Sequence, residues 1–148
     1  MSIPNPGLIL STRPSSLFQF STFYFLLHLL YTFYFVTKPY ALEERTFNFA
    51  KDVLGLCRVV PKTITNVEIV RQLARSAGSV GANYIEASQA VSKKDFFLRL
   101  KICRKEAKES CYWLRLMDVR AEGTATQRDL IAEADELTKI FGAMTKGK

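Results

Sequence analysis

From residue 42 onward, apolar residues recur every three or four positions, the spacing that places side chains on one face of an α-helix. No stretch shows the alternation of apolar and polar residues that is typical of a strand. The pattern therefore predicts an all-α fold. The clearest run is a seam at steps of three and four: Phe96, Leu100, Cys103, Ala107, Cys111, Leu114 and Met117.

Two helices are predicted before residue 91. The first carries its apolar positions between Leu42 and Val60, and Pro61 ends it because proline lacks the N–H group that a helix needs. The second begins at residues 65–68, whose Thr-x-x-Glu order is typical of a capping box that satisfies amide groups at a helix start. This second helix is predicted to run to about Ala90, with a core-facing apolar stripe that begins at Val67 and Val70.

Two more helices are predicted after residue 91. The third begins at a capping signal in residues 92–95 and continues along the seam until Gly123 breaks the pattern. The fourth restarts at residues 126–129 and has apolar positions as far as Met144. Because the connections are short, we expect an antiparallel up-down four-helix bundle with crossing angles of about 20°.

The second predicted helix is unusually rich in small side chains. Ala74, Gly78 and Ala82 lie four residues apart on one face, and Ala77 and Gly81 share the neighbouring face. Glycine inside a helix costs about 1 kcal/mol relative to alanine, so two interior glycines imply a gain elsewhere. Close approach of a neighbouring helix would supply that gain.

Residues 1–40 differ in composition from the rest of the chain. They hold two bases, no acid and ten of the eighteen aromatic residues. Within them, residues 17–36 carry no formal charge and just reach the roughly 20 residues that a membrane-spanning helix needs. Three interpretations stay open: a membrane anchor, a buried hydrophobic arm, or upstream DNA translated because the start codon was assigned too early. We therefore predict a hydrophobic leader at residues 1–40 and a four-helix bundle at residues 41–148.

The scarcity of histidine argues against most familiar catalytic sites. The single histidine, His28, lies in the apolar run, which leaves no imidazole for a Ser-His-Asp or Cys-His nucleophile or a His-rich zinc site. The three cysteines include no Cys-x-x-Cys pair, which argues against a disulfide framework and a structural zinc and favours a reducing compartment. Glu106 and Glu109 lack the histidine that carboxylate metal sites in bundles use. We predict no enzymatic activity, no metal and no cofactor.

The third predicted helix carries most of the excess positive charge. Residues 92–120 contain nine bases and four acids, a net charge of +5. At 100° per residue, four of its lysines fall within about 60° of one another. Such a stripe suits a phosphate backbone and salt-sensitive binding, or else it is a solvated face whose bases pair with neighbouring acids. The candidate nucleic-acid contacts are Lys94, Lys101, Arg104, Lys105, Lys108 and Arg115.

A second polar set lies beside the small residues of the second helix, at spacings of three, four and seven. One interpretation is a ligand pocket. The favoured one is a structural polar network, in which Arg75 or Asn83 meets a glutamate of the third helix, because an unpaired buried charge is costly. The candidates for this network and for an oligomer interface are Arg75, Ser76, Gly78, Ser79, Asn83, Glu86, Glu106, Glu109 and Trp113.

Two aromatic residues, Tyr112 and Trp113, follow one another among the bases of the third helix. Aromatic rings beside cations can stack on nucleic-acid bases. A tryptophan next to Leu114 and Leu116 is more often the anchor of an interface. We favour the interface for Trp113.

Three stretches resemble a known family: residues 75–87 (RSAGSVGANYIEA), 93–96 (KKDF) and 102–114 (ICRKEAKESCYWL). In this order they resemble the bacterial four-helix-bundle family named after intervening sequences of large-subunit ribosomal RNA, over about residues 40–119. Their succession is far more specific than any one of them. Relatives begin shortly before residues 42–45 and lack the aromatic run, which favours the early start codon over the membrane anchor.

The resemblance implies a small cytoplasmic bundle that assembles into a ring-shaped homopentamer. A related branch, the accessory protein of diversity-generating retroelements, is a basic pentamer that works with a reverse transcriptase and nucleic acid. For free-standing members it implies no agreed activity. We expect a non-catalytic oligomer that binds RNA or DNA through the third helix, with a nucleic-acid enzyme as a candidate partner. The alternatives are a purely protein-interacting scaffold and, if residues 17–36 span a membrane, an anchored bundle whose bases contact anionic lipid.

Overall fold

The computed structural model describes residues 41–146, which form four α-helices and one short 3-10 turn. In chain order, α1 covers residues 41–59, α2 Ile64–Ser88, α3 Lys93–Leu116 and α4 Thr124–Lys146, with the turn at Ala121–Gly123. No strand occurs in this part of the chain, and the predicted all-α class is confirmed. None of the helices within it has the length and apolar character to cross a membrane. The leader predicted at residues 1–40 lies outside the described residues.

The start of α2 differs from the prediction. Thr63 is the capping residue, and its Oγ1 accepts a hydrogen bond from the backbone N–H of Asn66 at 3.1 Å. The capping box predicted at residues 65–68 is therefore wrong by two positions. Its glutamate, Glu68, instead pairs with Arg71 on the helix surface at 3.5 Å.

The start of α3 agrees with the prediction, and its end does not. Ser92 Oγ accepts a hydrogen bond from the N–H of Asp95 at 3.1 Å, as expected for the capping signal there. At the other end, Met117 already has extended backbone, with ψ of 129°. The predicted break at Gly123 lies well beyond this point, in the 3-10 turn that precedes α4.

The apolar faces of the four helices meet in one core. On α3, the predicted seam is buried from Leu100 to Met117, and Phe96 packs half-buried at its edge. On α2, the apolar stripe predicts Val67 in the core, but this residue is 47% exposed and Ile69 is buried in its place. The largest fully buried apolar side chains are Phe141, Leu73, Leu100, Leu114, Leu137, Val53 and Val80.

Each helix has two neighbours, which gives the up-down bundle. α2 packs against α3, and α3 packs against α4. α1 completes the set, because Thr46 lies against Gly81 of α2 and Arg45 pairs with Glu133 of α4. The three links, residues 60–63, 89–92 and 117–123, are short. Because α1 and α3 both lie beside α2 and α4, α1 lies diagonally across the bundle from α3.

Candidate functional site

Six cationic side chains cover the outer side of α3, and we call them the α3 basic surface. All six are exposed, because the helical spacing turns them away from the buried seam of the same helix. The structure therefore places every cation singled out in the sequence on the solvent-facing side of one helix. The members are Lys94, Lys101, Arg104, Lys105, Lys108 and Arg115.

Acids neutralise little of the α3 basic surface. Among residues 41–146, its one ion pair joins Lys105 Nζ to Glu106 Oε1 at 3.5 Å, and the lysine side chain is 72% exposed. An exposed pair of this kind contributes about 0–1 kcal/mol. The alternative interpretation, in which the cations pair with neighbouring acids, therefore applies to Lys105 alone.

Arg104 is positioned by α4. A Cβ added to the buried Gly142 would lie 3.4 Å from Arg104 Nε and 3.5 Å from its Cζ. The guanidinium thus lies against the α4 backbone, where a larger residue would crowd it. Within the described bundle its N–H groups bind no acid, so they stay available to a ligand.

The interface between α2 and α3 contains a buried pair of hydroxyl groups. Ser110 Oγ donates to Ser76 Oγ at 2.9 Å, and Ser76 Oγ lies 3.2 Å from the Leu73 carbonyl oxygen, to which it donates. Both serines are at most 1% exposed, so each hydroxyl needs a partner inside the protein. Ser76 belongs to the predicted network. Ser110 was missed, although a serine within the apolar seam of α3 is a signal that points to it.

A charged cluster around Arg99 lies in the same interface. Arg99 Nη1 pairs with the Glu86 carboxylate and donates to Asn83 Oδ1 at 3.4 Å, and its Nε lies 3.6 Å from Asp95 Oδ1. Asn83 Nδ2 donates to the Ser79 carbonyl at 2.9 Å. Arg99 is absent from the predicted network, although its four-residue spacing from Asp95 is typical of a helical ion pair.

The remaining candidates of the network do not join the two helices. Arg75 is exposed and has no hydrogen-bond or ion-pair partner within residues 41–146. Glu109 accepts a hydrogen bond from Trp113 Nε1 on its own helix at 3.3 Å, and Glu106 pairs with the lysine before it. The expected meeting of Arg75 or Asn83 with one of these glutamates is therefore not formed in the described bundle. Asn83 contacts the α3 arginine instead.

The small residues of α2 form the floor of an open groove against α1, which we call the α1–α2 groove. A Cβ added to Gly81 would lie 3.6 Å from Thr46 Oγ1, so this glycine has the close neighbour that was predicted. An added Cβ on the exposed Gly78 would meet no atom within 4 Å, so its predicted neighbour is not a helix of the described bundle. The groove encloses about 630 Å³, and Phe47 and Ile85 beside it are exposed.

The three cysteines are free thiols held in their protonated form. Burial raises the pKa of Cys103 to about 12 and also raises the pKa of Cys57. Burial, with a hydrogen bond to Asp135, raises the pKa of Cys111. Because the thiolate is the reactive form, these cysteines are poor nucleophiles at neutral pH. Residues 41–146 contain no group of three side chains that could hold a metal ion.

These features define a class: a small four-helix bundle with a basic outer face on its third helix. The chain belongs to the 23S rRNA-intervening sequence protein family, whose model matches residues 40–143. The family resemblance noted in the sequence is thereby confirmed.

A solved structure of the same fold comes from Bacteroides thetaiotaomicron. It is a crystal structure of a protein of unknown function from the S23 ribosomal protein family, with 29% sequence identity and a TM-score of 0.62. The match covers 70% of this chain and 97% of that one. No curated protein matches the chain. Family membership therefore supports the fold and leaves the function to be argued from the surface.

Proposed function

We propose that this protein is a non-catalytic, homo-oligomeric protein that binds RNA or DNA through the α3 basic surface. The observation that carries the proposal is that five of its six cations have no ion-paired acid within residues 41–146. An unpaired cation can contact a phosphate without first losing an acidic partner. The surface also lies on a single helix, so its charges keep a fixed order.

Binding through this surface depends on phosphates and has little sequence preference. Four of the six cations are lysines, which act as flexible point charges rather than as planar forks that read a base edge. Each phosphate that a cation neutralises releases condensed counterions from the nucleic acid. The affinity should therefore fall steeply as the salt concentration rises.

Negative charge on another side of the bundle indicates the side from which nucleic acid approaches. A groove between α1 and α4 is lined by the acids Glu44, Asp52, Asp129 and Glu133, the last of which binds Arg45. Acidic side chains repel a phosphate backbone, whereas the α3 basic surface attracts it. Because α1 lies diagonally across from α3, nucleic acid should approach from the α3 side.

The proposal is tested by changing Lys101, Lys105 and Lys108 together to glutamine. All three are exposed, so the fold should persist, which circular dichroism checks. We expect the variant to bind a labelled RNA at least about tenfold more weakly at low salt, because three phosphate contacts are lost. Fluorescence anisotropy measures the dissociation constant.

A matched control removes the same charge elsewhere. Lys51, Arg58 and Lys62 are exposed cations on or directly after α1, and their change to glutamine lowers the net charge equally. This control should bind RNA within about threefold of the wild type, because it changes only the long-range field. Equal losses in both triple variants would reduce the proposal to non-specific charge attraction and contradict a site on α3.

We further propose that copies of the chain associate through the α1–α2 groove, in a ring of five as the family resemblance implies. Gly78 leaves the floor of the groove open, and Phe47 and Ile85 are apolar side chains in contact with water. A second copy that covers the groove would bury this apolar surface. A ring would also present five α3 basic surfaces to one nucleic acid and raise the overall affinity.

Two glycine substitutions test this mode of association. Gly78 and Gly55 are both exposed helical glycines whose added Cβ would meet no atom within 4 Å. Leucine at either position should leave the single bundle intact. We expect Gly78→Leu to lower the mass of the assembly measured by sedimentation, and Gly55→Leu to leave that mass unchanged. A full-size assembly of the Gly78→Leu variant would exclude the groove as the contact.

A purely protein-binding scaffold is the second candidate function. The exposed Phe47 and Leu54 on α1 favour it, because both are large apolar side chains that a protein partner could cover. A nucleic-acid enzyme is the candidate partner that the family resemblance suggests. An intact oligomer that binds neither RNA nor DNA at low salt would favour this candidate over the first.

A further inference from the structure

One exposed aromatic ring interrupts the line of cations on α3. Tyr112 is 56% exposed and lies within about 40° of Lys101, Lys105 and Lys108 around the helix axis. It follows Lys108 by one turn and precedes Arg115 by about one turn, so a cation stands on either side of it. An aromatic side chain that stays in water contributes little burial to the stability of its own bundle.

The Tyr112 ring is oriented by its neighbour and remains open to solvent. Its centroid lies 5.0 Å from that of Trp113, with an angle of 72° between the ring planes. Trp113 is half-buried, and its Nε1 donates to Glu109 Oε1 at 3.3 Å, which holds the indole in place. The Tyr112 hydroxyl has no hydrogen-bond partner in the described part of the chain. The Tyr112 ring is thus supported by the indole of Trp113 and exposed to solvent.

We propose that Tyr112 stacks on an unpaired base while the cations before and after it contact the neighbouring phosphates. The ligand is then single-stranded or looped RNA or DNA rather than a continuous duplex. This inference rests on the proposed function, because it uses the α3 basic surface for the phosphates. In a duplex the bases cover one another, whereas an unpaired base offers its face to an aromatic ring. Stacking accepts any base, which agrees with binding that has little sequence preference.

The test compares two probes with the full chain at one salt concentration. One probe is a labelled uridine oligonucleotide, and the other is a blunt-ended RNA duplex with the same number of phosphates. The wild type should bind the single strand about tenfold more tightly than the duplex. Tyr112→Leu should lower the affinity for the single strand about tenfold and change the affinity for the duplex by less than about twofold. Tyr112→Phe keeps the ring and should match the wild type within about twofold.

Trp113 gives a second readout that needs no variant. It is the only tryptophan in the chain and lies against Tyr112. The single strand, with a base stacked on Tyr112, should quench the fluorescence of Trp113, and the duplex should leave that fluorescence nearly unchanged. This measurement keeps the inference testable even if Tyr112→Leu fails to fold. Equal quenching by the two probes would contradict it.

The failure of the inference can be told apart from the failure of the proposed function. Equal affinity for both probes, with Tyr112→Leu unaffected and the triple glutamine variant impaired, overturns the inference and retains nucleic-acid binding. A smaller assembly of Tyr112→Leu by sedimentation also overturns it, because the ring would then lie between copies. Binding to vesicles of anionic lipid and to neither RNA probe overturns both proposals.

Discussion

Asn66 holds the backbone of Asp118 through two hydrogen bonds: Asn66 Nδ2 donates to the Asp118 carbonyl at 2.8 Å, and Asn66 Oδ1 accepts from the Asp118 N–H at 3.1 Å. The same Nδ2 also donates to the Pro61 carbonyl at 2.9 Å. Asn66 is 1% exposed, so water does not compete for these bonds. One side chain therefore joins the link after α1 to the link after α3.

Replacing Asn66 with alanine should lower the free energy of unfolding by about 2–4 kcal/mol, because all three hydrogen bonds between the two links are lost. Asn48→Ala is the matched control. Asn48 is exposed and donates one hydrogen bond of 3.3 Å to Glu44, so its loss should cost less than about 0.5 kcal/mol. Urea unfolding measures both. Similar losses of unfolding free energy in the two variants would contradict a stabilising role of Asn66 between the two links.

The bond between Ser76 and Ser110 should appear as a coupling between two substitutions. Each serine has another acceptor when the other is changed to alanine: Ser76 still donates to the Leu73 carbonyl, and the single hydroxyl hydrogen of Ser110 can turn to the Glu106 carbonyl, 2.9 Å away. Each single change should therefore cost about 1 kcal/mol, and the double change about 0.5–1 kcal/mol less than the sum. A double-mutant cycle from urea unfolding gives this value. Strictly additive losses would contradict the direct bond.

Cys103 should make the stability of the bundle depend on alkaline pH. Burial raises its pKa from 9.0 to about 12 in the folded chain. Because the folded pKa is the higher one, the stability from this thiol is complete below pH 9 and is lost as the pH rises towards about 12. The loss has a slope of up to about 1.4 kcal/mol per pH unit.

Cys103→Ala should flatten this alkaline decline, measured by urea unfolding at a series of pH values. Cys57→Ala is the comparison, because that thiol is only half-buried and should contribute a smaller slope. The two variants should differ in slope even if both are less stable at neutral pH. An unchanged slope in Cys103→Ala would mean that its thiol ionises in the folded chain as easily as in the unfolded one.

The helical repeat predicted most of the fold because burial on a helix is set by local spacing. The seam from Leu100 to Met117 can be predicted without knowing which helices pack against it, and it is buried as predicted. The pattern failed where it offered two equivalent choices. Val67 and Ile69 are both apolar, and Thr63 and Thr65 both carry a hydroxyl that could cap α2. The packing of the links decides between them, and local spacing does not contain that information.

The same limit applies to the candidate site. The side of α3 that carries cations such as Lys101 follows from helical phase, and the structure places all of them in solvent. Contacts between helices depend on the axial offset of one helix against the next, which a single sequence does not reveal. For that reason the sequence predicts Glu86 in a polar network but not Arg99, the cation at its centre. Ser110 was missed for the same reason.

The most direct test of nucleic-acid binding through α3 is the salt dependence of the RNA affinity. The logarithm of the association constant is measured against the logarithm of the KCl concentration, for the wild type and for the triple glutamine variant at Lys101, Lys105 and Lys108. Each phosphate contact adds about 0.7–0.9 to the slope, so the variant should have a slope smaller by about 2–3. Identical slopes would contradict the account, because these three lysines would then contact no phosphate.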